Sequence, residues 1–260
     1  MPINLIDFNT SIGQQKPESI IHKDTACPFC DRKSLTGIIA EEAGMILLKN
    51  KYNVIEGADQ FVLIESRSCH ADMPDYTREQ MRRLIGFGLH HWRIMLESGR
   101  YQEVVFFKNY GPLSGGTIRH PHMQLIGFPK IDKELFFRPE EFKGPVIARK
   151  AGVELSLSEA PRVGFWELNV VPEALNSQDS VDALADFIQF SVDYLMHHFH
   201  SRCQSYNIFF YHADRQVYVK IMPRFATSPM FIGYNIHFRP TNLLETAEKI
   251  KALYLNEFQE

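Results

Sequence analysis

The chain has 260 residues, 45% of them hydrophobic and 23% charged, which is enough apolar material for one large soluble domain or two smaller ones. Its formal net charge of −3 excludes a global basic field for a nucleic-acid backbone, while leaving room for a local pocket that binds a small phosphate ligand. No stretch reaches the roughly 18 apolar residues of a membrane span. The start, MPINLIDFNTSIGQQ, lacks the charged and apolar regions of a signal peptide, so the expected location is the cytoplasm.

Taken in order, the first fifteen or so residues show little periodicity and read as an arm. CPFC then forms a tight turn. GIIAEEAGMILLKNKY alternates and is rich in Ile and Leu, which predicts a β-hairpin turning near Ala43–Gly44. DQFVLIES is a further strand. Asp75 to Gly99 reads as a long amphipathic helix, with Thr77 as N-cap and Gln80 three residues on; Leu84, Leu89, Trp92, Ile94 and Met95 are its candidate buried positions. Strand EVVFFKN, a glycine-bearing loop YGPLSGGTIR and strand HPHMQLIGF follow. The second half repeats the order. VIARKAGVELSLSEA and RVGFWELNVVP read as paired strands, Ser180 to His200 as a second helix, YNIFFYH and QVYVKIMPRF as two more strands, and Thr241 to Glu257 as a last helix. The repetition points to an internal duplication. The boundary falls between Lys130 and Pro145, giving halves of residues 1–135 and 136–260.

The chemistry concentrates at His120-Pro121-His122-Met123-Gln124. In a strand, His120, His122 and Gln124 share one face, and Met123 and Leu125 share the other. Two imidazoles and an amide in a row are unusual as packing. Upstream, Gly115 and Gly116 let backbone N–H groups approach a phosphate, and Asn109 and the Thr117 hydroxyl can reach the same place. A neutral imidazole is a competent nucleophile toward phosphorus and forms covalent intermediates. Neutral donors around it would stabilise charge on the phosphoryl oxygens.

The stretch FFKNYGPLSGGTIRHPHMQ resembles the active-site region of galactose-1-phosphate uridylyltransferases and related nucleotidyltransferases, a branch of the histidine-triad (HIT) superfamily. The resemblance implies that His122 is the nucleophile and that Gln124 holds the transferred phosphoryl group, at the position where histidine-triad hydrolases carry a third histidine. Asn109 and Thr117 match the family's phosphate-contacting residues. Asn50, Lys51 and Tyr52, in KNKYNVIEG, match the segment lining the base and ribose pocket, and Phe29 could pack on the base. The resemblance also supplies partners for CPFC: Cys27, Cys30, His70 and His120 match a closed structural zinc site. Cys69, beside His70, is an alternative ligand.

The implied fold is α+β and HIT-like: two tandem halves, each an antiparallel sheet with a helix across it, related by a pseudo-twofold. The implied activity moves a nucleoside monophosphate from a nucleoside diphosphate sugar to a sugar phosphate through a nucleotidyl-histidine, as in galactose metabolism. A phosphorylase of dinucleoside polyphosphates or nucleotide sugars, and a non-catalytic nucleotide-binding protein, are the alternatives. The partner is a nucleotide or nucleotide sugar, with neither nucleic acid nor membrane, and some relatives dimerise. The chain departs from the pattern in two places. The family's N-terminal Thr-Gly-Glu-Trp stretch has no counterpart in FNTSIGQQKPESII. FIGYN resembles a sugar-binding segment with Asn235 replacing its acid, while VKIMPR replaces a histidine-rich strand. Lys220 and Met222 then stand where a nucleophile pair would be, so the second half should be catalytically silent and His212 should hold no metal. His197, His198 and His200 read as helix-end residues that cap or face solvent.

Overall fold

The computed structural model describes residues 4–20, 26–200 and 203–258, with nothing to be said of the side chains of Leu255 and Phe258. The strands are β1 (Ile38–Glu42), β2 (Met45–Lys49), β3 (Asp59–Ile64), β4 (Glu103–Tyr110), β5 (His122–Phe128), β6 (Val146–Lys150), β7 (Val153–Leu157), β8 (Leu168–Pro172), β9 (Tyr206–Ala213) and β10 (Gln216–Pro223). The helices are α1 (Thr10–Gly13), α2 (Arg78–Glu97), α3 (Gln178–Asp193), α4 (Pro229–Tyr234), α5 (Leu243–Leu253) and α6 (Leu255–Phe258). All ten strands form one antiparallel sheet in the order β1-β2-β3-β5-β4-β9-β10-β8-β7-β6. Each half of the chain contributes five adjacent strands, and β4 and β9 meet at the centre. No helix among the described residues is long and apolar enough to cross a membrane.

Local chemistry explains most element boundaries. Ala43 and Gly44 both have positive φ at the β1–β2 turn, as a tight hairpin requires. Helix α2 starts at a reciprocal capping box between Thr77 and Gln80, and α3 starts at an equivalent box between Ser177 and Ser180. Along α2, Leu84, Leu89 and Trp92 are buried against the sheet, whereas Ile94 is 50% exposed and Met95 is half-buried. The apolar stripe has drifted off the core by the last turn. Helix α3 gives way at its C-terminal end to a π-helical turn over Tyr194–Phe199, where His197 and His198 face Asp193 at 2.7 and 3.6 Å. The last helix is broken in two, and α4 was not anticipated from the sequence.

Both long helices lie on one face of the sheet. The core there joins Trp92, Phe106, Leu125, Phe187, Ile188 and Phe210. Trp92 Nε1 donates to the Val104 carbonyl at 2.6 Å, and the Phe106 and Phe210 rings stack at 4.4 Å across the central strand pair. The opposite face, in the first half, carries Phe29, Ile46, Leu48, Val62 and Ile64. It is roofed by the CPFC turn and by the arm. The arm is not loose where it is described: Phe8 bridges to Ile55, Asn9 N donates to the Val54 carbonyl at 2.8 Å, and Ser19 N donates to the Thr117 carbonyl at 2.9 Å. Residues 1–3 of the expected arm lie outside the described residues.

On the helix side, directly behind β5, Lys108 is fully buried with its Nζ 2.5 Å from Glu65 Oε1 and 3.4 Å from Asp72 Oδ1. Tyr76 donates to Glu65 at 3.1 Å, and Tyr206 donates to Asp72 at 2.7 Å. Burial alone would strip the Lys108 proton, but the two carboxylates outweigh it and its pKa is raised. Removing one partner of a buried pair strands the other charge, at a cost of about 3–5 kcal/mol. Lys108→Met should therefore lower the unfolding free energy by about that much. Burial already pushes the Glu65 carboxyl up in pKa. Without the ammonium, the folded variant should hold a proton there that the unfolded chain releases, so its stability should rise as pH falls. Denaturant unfolding at pH 8 and pH 5 should show a deficit that shrinks on acidification; a small or pH-independent deficit would contradict this account.

Candidate active site and metal centre

His122 and Gln124 project from β5 onto the roofed face of the sheet, while Met123 and Leu125, both fully buried, project into the helix-side core. The alternation therefore holds from His122 onward. His120 itself lies at a bend just before the strand. Strand β5 starts only at His122, and Pro121 uses its carbonyl to accept from Glu65 N at 3.1 Å. His120 lies beneath CPFC on the same roofed face, and the two imidazoles there serve two adjoining clusters.

His122 lines a cavity of about 370 Å³ on the roofed face. Phe29, Asn50, Lys51, Tyr52, Asn109, Gly115, Gly116, Thr117 and Gln124 line the same cavity, so the structure brings together all the residues assigned from the sequence to the nucleophile, phosphate and nucleotide positions. Asn50 closes a tight turn by accepting from Tyr52 N at 2.9 Å. Phe29, expected to pack on the base, sits in the cavity wall. It is buried, with its ring edge-on to His122 at 5.4 Å and to His120 at 5.9 Å, a wedge between the two imidazoles. The glycine loop is held from below. Gly111 has φ of +83°, and a Cβ there would lie 2.1 Å from the Gln204 carbonyl oxygen, so only glycine fits. Gly115, with φ of +86°, has no neighbour within 4 Å of its missing Cβ, which leaves backbone open to a ligand.

His122 Nδ1 donates to the His120 carbonyl at 2.8 Å. The carbonyl can only accept, so Nδ1 carries the proton and Nε2 carries the lone pair. Burial pushes the His122 pKa down to about 4, opposed in part by the hydrogen bond to the His120 carbonyl and reinforced by the Lys108 charge. The ring is thus neutral at physiological pH, with its nucleophilic nitrogen fixed by the tautomer.

The arm supplies residues that the sequence reading missed. Phe8, Lys16 and Pro17 line the cavity. Lys16 is half-buried, burial lowers its pKa, and it makes no ion pair among the described residues, so a cation is available beside the phosphate positions. Only the Lys16–Pro17 pair within an otherwise aperiodic segment hinted at this. Conversely, none of Phe231, Ile232, Gly233, Tyr234 or Asn235 lines the cavity. Asn235 adopts a left-handed conformation, φ +54°, and ends the short helix α4.

The second cluster adjoins the first. Sulfur atoms of Cys27, Cys30 and Cys69 and a ring nitrogen of His120 all lie within 4.8 Å of one another. His120 Nδ1 is 3.6 Å from both Cys27 Sγ and Cys30 Sγ, and its Nε2 meets the Ser66 carbonyl at 3.0 Å. That carbonyl fixes the proton on Nε2 and leaves Nδ1 free as a ligand atom. Tetrahedral zinc with bonds of about 2.0–2.3 Å needs ligand atoms about 3.3–3.8 Å apart, so the donor set fits. Burial pushes the Cys27 thiol up to about 12, opposed in part by backbone N–H groups, and the neighbouring thiols raise it further. A divalent cation would reverse this by holding thiolates.

The ligand set corrects the sequence expectation: Cys69 occupies the place assigned to His70. The Ser68 side chain accepts from His70 N at 3.4 Å and Ala71 N at 3.2 Å. This turn points Cys69 inward and leaves His70 exposed. Replacing Cys69 with Ser should remove bound divalent metal and lower the melting temperature together, since metal binding is coupled to folding. His70→Ala should do neither. Elemental analysis and thermal unfolding of both variants check this, and metal loss in His70→Ala alone would restore the earlier ligand set.

The sheet with a nucleotide-sized cavity under an N-terminal roof defines a fold shared with uridylyltransferases. One uridylyltransferase structure matches with a TM-score of 0.70 at 15% identity, covering 91% of this chain and 93% of that one. An ADP-glucose phosphorylase from Arabidopsis thaliana with bound ADP-glucose matches with a TM-score of 0.67 at 13% identity, covering 88% and 91%. At such identities the likeness is one of fold. The chain belongs to the DUF4931 family, described as a domain of unknown function: residues 8–131 match its N-terminal domain and residues 134–255 its C-terminal domain. A DUF4931 family protein from Bacillus cereus ATCC 10987 is 35% identical, with a TM-score of 0.75, over 84% of this chain and 99% of that one. No curated protein matches the chain.

Proposed function

We propose that this protein is a nucleotidyltransferase that works by double displacement through His122. The observation that carries the reading is the state of that imidazole: neutral, its Nδ1 proton held by the His120 carbonyl, and its Nε2 without a partner among the described residues, on the wall of a cavity ringed by donors. In the first step the Nε2 lone pair attacks the α-phosphorus of a nucleoside diphosphate sugar or similar donor. The phosphorus–nitrogen bond forms, the bond to the bridging oxygen breaks, and the sugar phosphate leaves with the electron pair. Positive charge gained by the ring is stabilised through Nδ1 by the His120 carbonyl. Asn109, Gln124 and the loop N–H groups after Gly115 would hold the phosphoryl oxygens, and Lys16 would offset charge on the leaving group. In the second step an oxygen of an acceptor phosphate attacks the same phosphorus and His122 is released.

The acceptor separates two versions. A sugar phosphate makes the enzyme a uridylyltransferase-like transferase; inorganic phosphate makes it a phosphorylase. One observation favours the smaller acceptor. The segment resembling a sugar-binding stretch, Phe231 to Asn235, does not line the cavity of its own chain. Among the solved structures that share the fold, one is named a uridylyltransferase and another an ADP-glucose phosphorylase.

Three further parts belong to the same reading. The metal held by Cys27, Cys30, Cys69 and His120 is zinc, and its role is structural because four protein ligands close the coordination sphere. The two halves, residues 1–135 and 136–260, arose by duplication and are related by a pseudo-twofold, which the reversed strand order about the β4–β9 pair supports. The second half is catalytically silent. Met222 is buried opposite Asn207, and Lys220 is spent on Glu141, Glu167 and Asn169 inside the core.

Intact-protein mass spectrometry after incubation with a panel of nucleotide sugars and dinucleoside polyphosphates, quenched at alkaline pH, should detect a nucleotidyl adduct on His122. Its mass names the base. His122→Gly should keep the fold and lose both adduct and turnover. Turnover retained in that variant, or no adduct from any donor, would overturn the proposal.

A further inference from the structure

Asn109, at the phosphate position, faces Asn207 of the second half across the central strand pair, where the two are direct partners. Asn207 is 1% exposed, and its Nδ2 donates to Asn109 Oδ1 at 2.6 Å and to the Ser114 carbonyl at 3.0 Å. Its Oδ1 accepts from Arg224 Nη1 at 2.7 Å. We propose that Arg224, acting through Asn207, locks the Asn109 amide so that its NH2 group is aimed into the cavity as a phosphoryl-oxygen donor. The proposal rests on the reading of His122 as nucleophile for its kinetic consequence, although the geometry stands apart from it.

The sense of each hydrogen bond follows from chemistry. A guanidinium only donates, so the Asn207 atom that meets Arg224 is the oxygen. The Ser114 carbonyl only accepts, so the atom that meets it is the nitrogen. Both constraints agree on one orientation of Asn207. That orientation presents a donor to Asn109, whose facing atom must then be its oxygen. The Asn109 Nδ2 is left without a protein partner among the described residues, at a side chain that lines the cavity. With Arg224 absent, Asn207 would lose one of the two constraints, and the Asn109 amide could turn its oxygen toward the phosphate and repel it. Arg224 is itself held: its backbone N–H donates to the Ser205 carbonyl at 2.7 Å, and no carboxylate pairs with it among the described residues. The same segment steadies the glycine loop, because Ser205 Oγ accepts from Leu113 N at 3.0 Å. Arg224 and Asn207 are positioning residues, and through them the second half sets the polarity of a site built in the first.

The test uses Arg224→Met, Arg224→Lys and Asn207→Asp in the full chain, each checked for an unchanged melting temperature. Single-turnover formation of the nucleotidyl adduct should slow about tenfold or more in Arg224→Met, within the effect of removing one oxyanion donor. Arg224→Lys should restore most of the rate. Asn207→Asp, which can accept from Arg224 but cannot donate to Asn109, should be as slow as Arg224→Met. In an Asn109→Ala background, Arg224→Met should add little, because the two act in series. An equal loss in both backgrounds would overturn the relay. The side-chain amide resonances of Asn109, assigned by their loss in Asn109→Ala, give a readout without turnover. They should shift in Arg224→Met and return toward the starting position in Arg224→Lys; unshifted resonances would also overturn it. If the unaltered protein forms no adduct, the proposed function fails, and the amide resonances still decide the relay.

Discussion

The pairing of β4 with β9 is the constraint on which the rest of the structure depends. Each half brings a five-strand block whose inner edge carries aromatic residues, and an uncovered edge of that kind would invite association with other chains. Pairing the two edges buries both. Phe106 stacks on Phe210 at 4.4 Å and Tyr110 on Tyr206 at 5.1 Å, all on the helix side. The register that aligns these rings also sets Asn109 against Asn207 on the other side. Because successive side chains alternate, one register serves packing on one face and polarity on the other. Strand β5, which carries His122, is next to β4 and inherits its rigidity.

His120 joins the two chemical clusters through separate atoms. Its ring faces the thiols by Nδ1 and is braced at Nε2 by the Ser66 carbonyl. Its own carbonyl accepts from His122 Nδ1. Whatever fixes the His120 ring therefore fixes the peptide group that selects the His122 tautomer, and Phe29 fills the space between the two rings. A metal held by the thiols and His120 would therefore act on His122 without entering the cavity. Behind the same strand, the fully buried Lys108 keeps a positive charge near His122 and disfavours protonation of the ring. The two influences reach the imidazole from opposite faces of the sheet.

Features decided within a few residues were legible in the sequence. The β1–β2 turn needed positive φ at neighbouring positions, and Ala43–Gly44 marked it. The α2 start needed a hydroxyl and a glutamine three residues apart, and Thr77 and Gln80 supplied them. His122, Gln124, Asn109 and the glycine loop were legible as cavity residues because the motif around His122 is dense in chemistry. Features decided by distant contacts were not. His120 was read as part of the strand, whereas β5 begins at His122 and the His120 ring is braced by the distant Ser66 carbonyl. Cys69 and His70 were indistinguishable as ligands until the Ser68 turn set which one faced inward. The arm has no periodicity because its partners, Val54, Ile55 and Thr117, lie in other elements. Asn207 lies 98 residues from Asn109, and nothing local to either one announces the pair.

The second half of the chain bears on the cavity of the first through its packing. On β10, Met222 is apolar and buried, and Lys220 binds Glu141, Glu167 and Asn169 in the interior. Removing the half would uncover the β4 edge, remove Tyr206 from Asp72, withdraw the Gln204–Ser205 segment from beneath the glycine loop, and free the Asn109 amide. Each of these contacts acts on the surroundings of His122 rather than on His122 itself. The constraints that fall on β9 therefore come from the neighbouring cavity. On that argument the inner strand of the second half should tolerate less change than its outer strands, β6 and β7, which no contact ties to the cavity.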